Sequence, residues 1–318
     1  FDQDEPLRTQ RDPARAADLL QLSATLGFAE GQYQLAQLYG AGLGVEQDNT
    51  DAFRWYLAAA RQQHAKAQLS LAQAYSRGIG TEQDATQAIH WIKQAAANND
   101  ARAQISLARA YETGNGVTKS MPQAMEWYET AAQNGLVFAQ QQLGVRLLSG
   151  GDGITRDVPA ALKWLQRAAG SGDSQAMAIL GQAYFIGNGV SQDVDQAAVW
   201  YGRAAQYDNG RAKLALGAMH ETGRGVDQDM DAALALYRRA LDIPDGNRAA
   251  IRLGQLAASG VLDDRFAPHR MVPWALAAMQ DTSAEAERWL LTQAEAGLRD
   301  AQAGLAALYL ATPETVSM

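Results

Sequence analysis

Apolar and small side chains recur at helical spacing along this chain, in pairs of segments. In the first segment of one pair, Ala103, Leu107, Ala108 and Tyr111 lie at i, i+4, i+5 and i+8, on one face of a helix. A Gly-x-Gly motif follows, and residues 124–132 then carry a second apolar stripe with the same period. The pattern therefore predicts two helices joined by a glycine-containing turn.

This helix pair recurs about every 36 residues. One tryptophan marks the second helix of five successive units: Trp55, Trp91, Trp127, Trp164 and Trp200. A position in the first helix recurs in step: Tyr39, Tyr75, Tyr111, Leu147, Tyr184 and His220. We expect these aromatic side chains to belong to the core. Because one helix pair cannot bury its own apolar face, neighbouring pairs are expected to stack on one another.

Start signals precede the predicted second helices. Asp84, Ser120 and Asp193 each stand three residues before a glutamine, which matches a capping box. Pro122 and Pro159 lie in the first turn, where a missing N–H removes no helical hydrogen bond.

The complete unit resembles the Sel1-like repeat, a relative of the tetratricopeptide repeat. The fifth unit carries the motif in full: Ala176, Leu180, Gly181, Tyr184, Asp193, Ala197, Trp200, Tyr201, Ala204 and Ala205. The resemblance implies an all-α fold, an α-solenoid superhelix of stacked antiparallel helix pairs. It spans nearly the whole chain.

The ends depart from the regular unit, which predicts these boundaries. Residues 1–11 form an N-terminal tail, and 12–28 form a half-repeat that caps the array. Residues 29–261 hold six regular repeats and the first helix of a seventh. An insertion occupies 262–283, and 284–318 contain the second helix of the seventh repeat and a C-terminal half-repeat.

The insertion has two interpretations. It is either a longer surface loop with a short helix that covers the core, or a recognition loop, because insertions in solenoids map to one face. In the second case the candidate partner-binding residues are Arg265, Phe266, His269, Arg270 and Trp274.

Charge and composition exclude several classes of function. The net charge is −8, with 27 basic and 35 acidic residues, which argues against general nucleic-acid binding. No run reaches the roughly 20 apolar residues of a membrane helix, so we do not expect an integral membrane protein.

The chain begins at Phe1 rather than methionine. We therefore expect either a processed product or a trimmed chain. With the habits of the family it resembles, this favours the bacterial periplasm or envelope, with the cytoplasm as the alternative.

Nothing in the sequence predicts catalysis, a metal or a cofactor. There is no cysteine, which excludes thiolate chemistry in this chain. The Gly-x-Gly motif follows a helix rather than a strand and recurs six times, so it is interpreted as a helix cap and not as a dinucleotide fingerprint. Of the histidines at 64, 90, 220 and 269, none has metal-ligand spacing, and His220 is expected to pack in the core.

The resemblance implies that the first helices line a concave groove. Reading the groove-facing register gives these candidate partner-binding residues: Arg77, Arg102, Arg109, Glu112, Phe138, Gln141, Leu148, Gln182, Phe185, Ile186, Arg211, Glu221 and Arg248. An apolar centre flanked by arginines has the composition of a protein-binding hot spot. The alternative is that the aromatic side chains pack between repeats.

We therefore expect a non-enzymatic scaffold or adaptor that binds a protein or peptide partner, with an acidic segment or an anionic polymer favoured by the arginines. The resemblance implies roles in bacterial envelope assembly, export or signalling. The alternative is an inhibitor or immunity protein that neutralises a secreted toxin by plugging its active site. The oligomeric state is not predicted.

Overall fold

The computed structural model describes residues 12–243 and 246–311, and within them it contains seventeen α-helices. The predicted N-terminal tail lies outside the described residues. The helices are α1 (Pro13–Thr25), α2 (Ala29–Ala41), α3 (Asn49–Arg61), α4 (Ala65–Arg77), α5 (Ala85–Ala97), α6 (Ala101–Thr113), α7 (Met121–Gln133), α8 (Val137–Ser149), α9 (Val158–Gly170), α10 (Ser174–Ile186), α11 (Val194–Gln206), α12 (Gly210–Thr222), α13 (Met230–Ala240), α14 (Gly246–Ala258), α15 (Pro268–Gln280), α16 (Ala284–Glu295) and α17 (Arg299–Ala311).

The all-α solenoid prediction is confirmed. Consecutive helices pack as pairs in the first, second, third, fifth and sixth repeats: α2–α3, α4–α5, α6–α7, α10–α11 and α12–α13. The fourth repeat consists of α8 and α9 in the order of the chain. We call the even-numbered member of each pair the first helix and the odd-numbered member the second helix. The chain divides into two compact units, one ending at Trp164 and the other beginning at Leu165.

Small residues line the contact between neighbouring repeats, because they let two helix backbones approach closely. Between α5 and α6 the fully buried residues are Ala95, Ala96, Ala103 and Leu107. The tryptophans differ from our expectation, since they are half-buried rather than central. Trp127 of α7 packs against this cluster, which joins α5 of the second repeat to α6 of the third. The tryptophan therefore contributes to the junction between neighbouring repeats.

The two glycines of the turn have different physical roles. The first ends the first helix in the left-handed region, as Gly78 does with φ of 70°, which confirms its interpretation as a cap. The second allows a close approach. A Cβ on Gly80, whose φ is 69°, would collide with the backbone oxygen of Asn49 in the preceding repeat. The turn therefore lies directly on the start of the preceding second helix.

The predicted second-helix caps are also present. The carboxylate of Asp84 accepts hydrogen bonds from the backbone N–H groups of Thr86 and Gln87 at 2.9 and 3.0 Å. Ser120 and Asp193 cap their helices in the same way. These contacts satisfy N–H groups that the helix itself leaves without a partner.

A buried polar ladder, which sequence reasoning missed, links the repeats of the first unit. A glutamine near the start of each first helix donates from Nε2 to the carbonyl eight residues earlier, at 3.1–3.2 Å: Gln32, Gln68, Gln104 and Gln140. The ladder continues within the same repeat, since Asn98 at the end of α5 donates to Oε1 of Gln68 at 2.9 Å, and Asn134 at the end of α7 donates to Oε1 of Gln104 at 3.1 Å. Gln68 and Gln104 are paired at both the Nε2 and the Oε1 atom, so their buried amides avoid the cost of unsatisfied polar groups. The buried Oε1 of Gln140 has no hydrogen-bond partner in the described residues.

The region predicted as an insertion contains a full helix. α15 packs along α14, and Gly254 permits this contact because a Cβ there would collide with the backbone of Trp274. Leu253 and Leu256 of α14 form one buried cluster with Met271 of α15. In the structure α15, rather than α16, therefore occupies the place of a second helix beside α14.

Candidate functional site

The first helices of the first unit present a basic surface. Arg77, Arg102 and Arg109 are exposed on α4 and α6. In the part of the chain that the structure describes, none of these three arginines forms an ion pair. Their guanidinium groups are therefore available to an anionic partner, since no carboxylate of the described residues lies within ion-pair distance of them.

Phe138 on α8 adds an apolar element to this surface. Its side chain is 39% exposed, and the Arg109 guanidinium lies over the ring, 5.0 Å from its centroid. A cation held over an aromatic face is an arrangement common at protein-binding surfaces.

Leu148 is half-buried. Gln141 is 9% exposed, so little of its side chain is accessible at this surface, in contrast to the groove-facing position predicted from the sequence. It falls on the inward side of α8 together with Gln140 and Leu143.

Glu112 belongs to a three-residue cluster that joins three helices. Its Oε2 accepts from the Tyr128 hydroxyl of α7 at 2.8 Å, and its Oε1 from Arg146 Nη2 of α8 at 2.6 Å. The Arg146 guanidinium also lies 4.5 Å from the centroid of the Tyr128 ring. We call this cluster the Glu–Tyr–Arg triad of the third repeat. It turns Glu112 inward as a packing residue, whereas the sequence predicted a free acid in the groove.

The electrostatics of the triad favour an ionised carboxylate. Burial by itself raises the pKa of Glu112, but the hydrogen bonds from Arg146 and Tyr128 and the neighbouring guanidinium charges hold that pKa below its usual range. Burial, followed by the hydrogen bond to the carboxylate, raises the pKa of Tyr128 to about 12. The triad is therefore a neutral phenol and an ion pair at physiological pH.

The same triad recurs in the sixth repeat. Glu221 accepts from the Tyr237 hydroxyl at 2.9 Å and from Arg252 Nε at 3.1 Å, with Arg252 Nη2 completing a two-pronged contact. Burial raises the pKa of Glu221, and the hydrogen bonds from Arg252 and Tyr237 outweigh it, so the pKa lies below its usual range. The prediction of Glu221 as a free groove residue therefore differs from the structure in the same way as that of Glu112.

The second unit presents a separate apolar site around Phe185. The Arg224 guanidinium lies 4.5 Å from the centroid of the Phe185 ring. Beside them is a cavity of about 260 Å³ that Tyr201, Met219 and Thr222 also line. Ile186 is 58% exposed, and Gln182, Arg211 and Arg248 are exposed on first helices of this unit. Sequence reasoning missed Arg224, although its place inside a Gly-x-Gly turn was a usable signal.

The insertion residues divide into two groups. Phe266 and Trp274 are half-buried, stack edge-to-face with ring centroids 5.4 Å apart, and pack on the core cluster of α13, α14 and α15. Their prediction as recognition residues differs from this packing, which supports the structural interpretation of the segment. Arg265 pairs with Asp231 at 3.1 Å. His269 and Arg270 are exposed.

An open cavity that the sequence did not predict lies between the first repeat and the first helix of the second. It has a volume of about 640 Å³ and lies between α2, α3 and α4, with Gly40, Tyr56, Ser70, Gln73 and Arg77 in its wall. A second cavity of about 570 Å³ shares Ser70 and Gln73 and extends to Lys66 and Arg102. Together they form a continuous recess along α4, which we call the α4 recess.

The geometry gives no support for metal or acid–base chemistry. Across residues 12–243 and 246–311, no cluster of three or more His, Asp or Glu side chains is arranged to hold a metal. His64 caps α4 and lies 2.9 Å from Glu30. His220 is half-buried and contacts the carbonyl of Asp227 at 3.3 Å, so it is less enclosed than expected. No helix of the described residues combines the length and apolar character that a membrane crossing requires.

Comparison with known proteins identifies the repeat. A sequence model of the Sel1 repeat matches residues 7–28, 29–64, 65–100, 101–136, 137–173, 174–206 and 210–243. No functionally curated protein matches the sequence.

Two solved structures are similar over most of the chain. One is c5321, a protective antigen present in uropathogenic Escherichia coli strains, which is 30% identical with a TM-score of 0.77 over 92% of this chain and 67% of that protein. The other is a Sel1 repeat protein from Oxalobacter formigenes, which is 32% identical with a TM-score of 0.59 over 71% of this chain and 94% of that protein.

Proposed function

The chain belongs to the Sel1 repeat family, and from this premise we propose that it is a non-enzymatic scaffold that binds a protein or peptide partner on the exposed face of its first helices. Sel1 repeats generally mediate protein–protein interaction. We place the interaction in bacterial envelope assembly, export or signalling, at the periplasmic side. The family's repertoire is the reason for that placement.

One observation carries the proposal. Phe138 remains 39% exposed while Arg109 is held over its ring, so repeat packing leaves a large aromatic side chain accessible. Aromatic and arginine side chains are the residue types that supply most of the binding energy at protein interfaces. The Phe185–Arg224 contact supplies the same pair in the second unit.

The charge of the surface supports an acidic partner segment. Arg77, Arg102 and Arg109 have no internal ion pair in the described residues, although the chain as a whole carries a net charge of −8. Such a local basic surface selects acidic segments and accelerates their association at low salt.

Site-specific photocrosslinking in the source organism tests the proposal. A photoreactive phenylalanine analogue at position 138 or 185 is expected to capture the same partner, whereas the analogue at Val199, an exposed apolar position on the second helix α11 (46% exposed), is expected not to. With the captured partner in purified form, Phe138→Ala with Phe185→Ala should weaken binding by about tenfold to a hundredfold, and Val199→Ala should have no effect.

The melting temperature separates a binding role from a packing role. If the double variant melts many degrees earlier than wild type, both aromatics are core residues and the proposed surface is wrong. Unchanged affinity would contradict the proposal in a different way, since the partner would then bind elsewhere.

The same experiment decides between the scaffold and the alternative, an inhibitor or immunity protein. A captured enzyme whose activity is abolished by the purified chain would establish inhibition of a toxin. A captured assembly, export or regulatory protein would establish the scaffold role.

A further inference from the structure

Four second helices carry a tyrosine at the same register of the repeat: Tyr56, Tyr128, Tyr201 and Tyr237. The residue sixteen positions earlier, at the end of the first helix, faces that tyrosine in the triads of the third and sixth repeats. We call this position the acid position. Its occupants in the four repeats are Gly40, Glu112, Phe185 and Glu221, respectively.

The first repeat has the tyrosine but no side chain at the acid position. Where Glu112 and Glu221 place their carboxylates, the first repeat has Gly40 and the cavity of about 640 Å³. A Cβ on Gly40 would meet only the Cβ of Ala52, at 3.9 Å, which is an ordinary van der Waals contact. The empty space is therefore large enough to hold a side chain without movement of the backbone.

The wall of this cavity supplies the same groups that the triads use. Tyr56 lines it, and burial, with the neighbouring Tyr33, raises the pKa of its hydroxyl against the effect of Ser70, so the phenol remains a donor. Arg77 lines it as the cation. The triads draw their arginine from different registers, Arg146 in one and Arg252 in the other, so an arginine from a third register is in keeping with the pattern.

The charges around the α4 recess also favour an anion. Lys66 and Arg102 line its second cavity, which contains one acid, Asp100. The carboxylate of Asp100 is already used as the N-cap of α6, where it accepts from the N–H of Ala103 at 2.8 Å. The recess therefore combines three cations with a single carboxylate that is hydrogen-bonded to the backbone.

We propose that the first-repeat cavity binds a glutamate side chain of the partner, in the position that the chain's own glutamates occupy in the third and sixth repeats. The inference rests on the proposed function, for which it names the partner's chemistry. The bound carboxylate would accept from the Tyr56 hydroxyl and pair with Arg77. Because both groups are part of the folded repeat, binding requires little reorganisation.

A substitution that supplies the missing carboxylate tests the cavity without any partner. We compare Gly40→Glu with Gly40→Gln, which matches it in length and helix propensity. At pH 7 the Gly40→Glu variant should melt higher by at least about 2 °C. Carbon-13 NMR should find the pKa of the introduced carboxyl below its usual range. The difference in melting temperature should disappear as the pH falls through that pKa, since the stabilisation requires the charged form.

A peptide probe tests the cavity from outside. The probe is acetyl-Ala-Glu-Ala-amide, and acetyl-Ala-Gln-Ala-amide is its neutral control. Titration into the wild-type chain at low ionic strength is followed by the Nε–Hε resonance of Arg77, which is assigned by its loss in Arg77→Gln. The glutamate peptide should shift this resonance with an affinity about tenfold higher than the glutamine peptide. In the Gly40→Glu variant the shift should vanish.

Three results would overturn the inference. The first is that the Gly40→Glu and Gly40→Gln variants melt at the same temperature at pH 7. The second is that the two peptides bind with equal affinity or that neither binds, and the third is that the glutamate peptide still binds to the Gly40→Glu variant. If Gly40→Glu fails to fold, the comparison of the two peptides on wild type decides. These results are independent of the photocrosslinking. A failure here removes the glutamate pocket and leaves the proposed scaffold intact, while failure to capture any partner removes the scaffold and leaves the pocket measurable.

Discussion

Replacing Glu112 with glutamine tests whether this residue stabilises the third repeat or is a binding residue for a partner. The change removes the charge but keeps the size of the side chain. In the wild-type chain the Glu112 and Arg146 side chains are 27% and 17% exposed, and their charged atoms lie 2.6 Å apart. The substitution therefore leaves a mostly buried guanidinium without its counter-charge.

The structure sets the size of the expected loss. Breaking a fully buried ion pair from one side costs about 3–5 kcal/mol, because the remaining charge stays desolvated. Partial exposure lowers this figure, and so does the stacking of Arg146 on Tyr128, which persists in the variant. We expect Glu112→Gln to lower the free energy of unfolding by about 2 kcal/mol.

Urea unfolding followed by circular dichroism at 222 nm measures this free energy. The matched control is Glu126→Gln on the neighbouring α7, because Glu126 is exposed and its side chain makes no ion pair in the described residues. The control should change the free energy by less than about 0.5 kcal/mol.

The pH dependence supplies a second signature. Because the pKa of Glu112 is lower in the folded chain than its ordinary value of 4.5, the stabilisation is fully present above that value. It is lost as the pH falls through the folded pKa. Wild type and Glu112→Gln should therefore converge in stability in acid. Equal stabilities at pH 7, or a difference that does not change with pH, would refute the triad as a structural element and return Glu112 to the candidate binding residues.

Two further predictions concern the second unit. Gly181→Ala should destabilise the chain by about 1–2 kcal/mol, because a Cβ there would lie 2.8 Å from the Tyr201 ring. By contrast, a Cβ on Gly202 would have nothing within 4 Å, so Gly202→Ala should stabilise the chain by up to about 1 kcal/mol. Equal melting temperatures of the Gly181→Ala and Gly202→Ala variants would contradict the close contact between Gly181 and Tyr201. Lys213, which is 2% exposed and donates to Asp208 at 2.8 Å, stands at the register of the buried glutamines. Lys213→Gln should therefore retain more stability in urea than Lys213→Ala, and the reverse order would contradict the ladder register.

Much of the fold was predictable because the same sequence pattern recurs in successive repeats. The 36-residue spacing of Trp55, Trp91 and Trp127 predicts the helix pairs, and the glycines after each first helix predict where it ends. These are local requirements: a left-handed residue at a helix end, a cap at a helix start, and an apolar stripe with helical period. Each can be recognised in one chain without knowledge of its neighbours.

Single departures from the repeat were harder to interpret. Residues 268–280 differ from a regular second helix, with Pro273 inside, so the sequence indicated an insertion. Only the contact between Gly254 and the backbone of Trp274 shows that this segment takes the second-helix place beside α14. A search for the residue motif of the second helix does not find α15, because α15 packs as a second helix does but with different residues.

The sequence by itself determined the all-α repeat, its family and the helices that carry the arginines and Phe138. Tertiary structure alone decided which of the candidate polar residues are available. Glu112 and Gln141 occupy surface-like positions in the pattern, yet the first pairs with Arg146 and the second is buried. The reason is physical: helical period fixes the direction of a side chain from its own helix, but its partners come from residues some thirty positions away. The role of Gly40 could not be predicted for the same reason, because it depends on Tyr56 and Arg77, which lie on other helices.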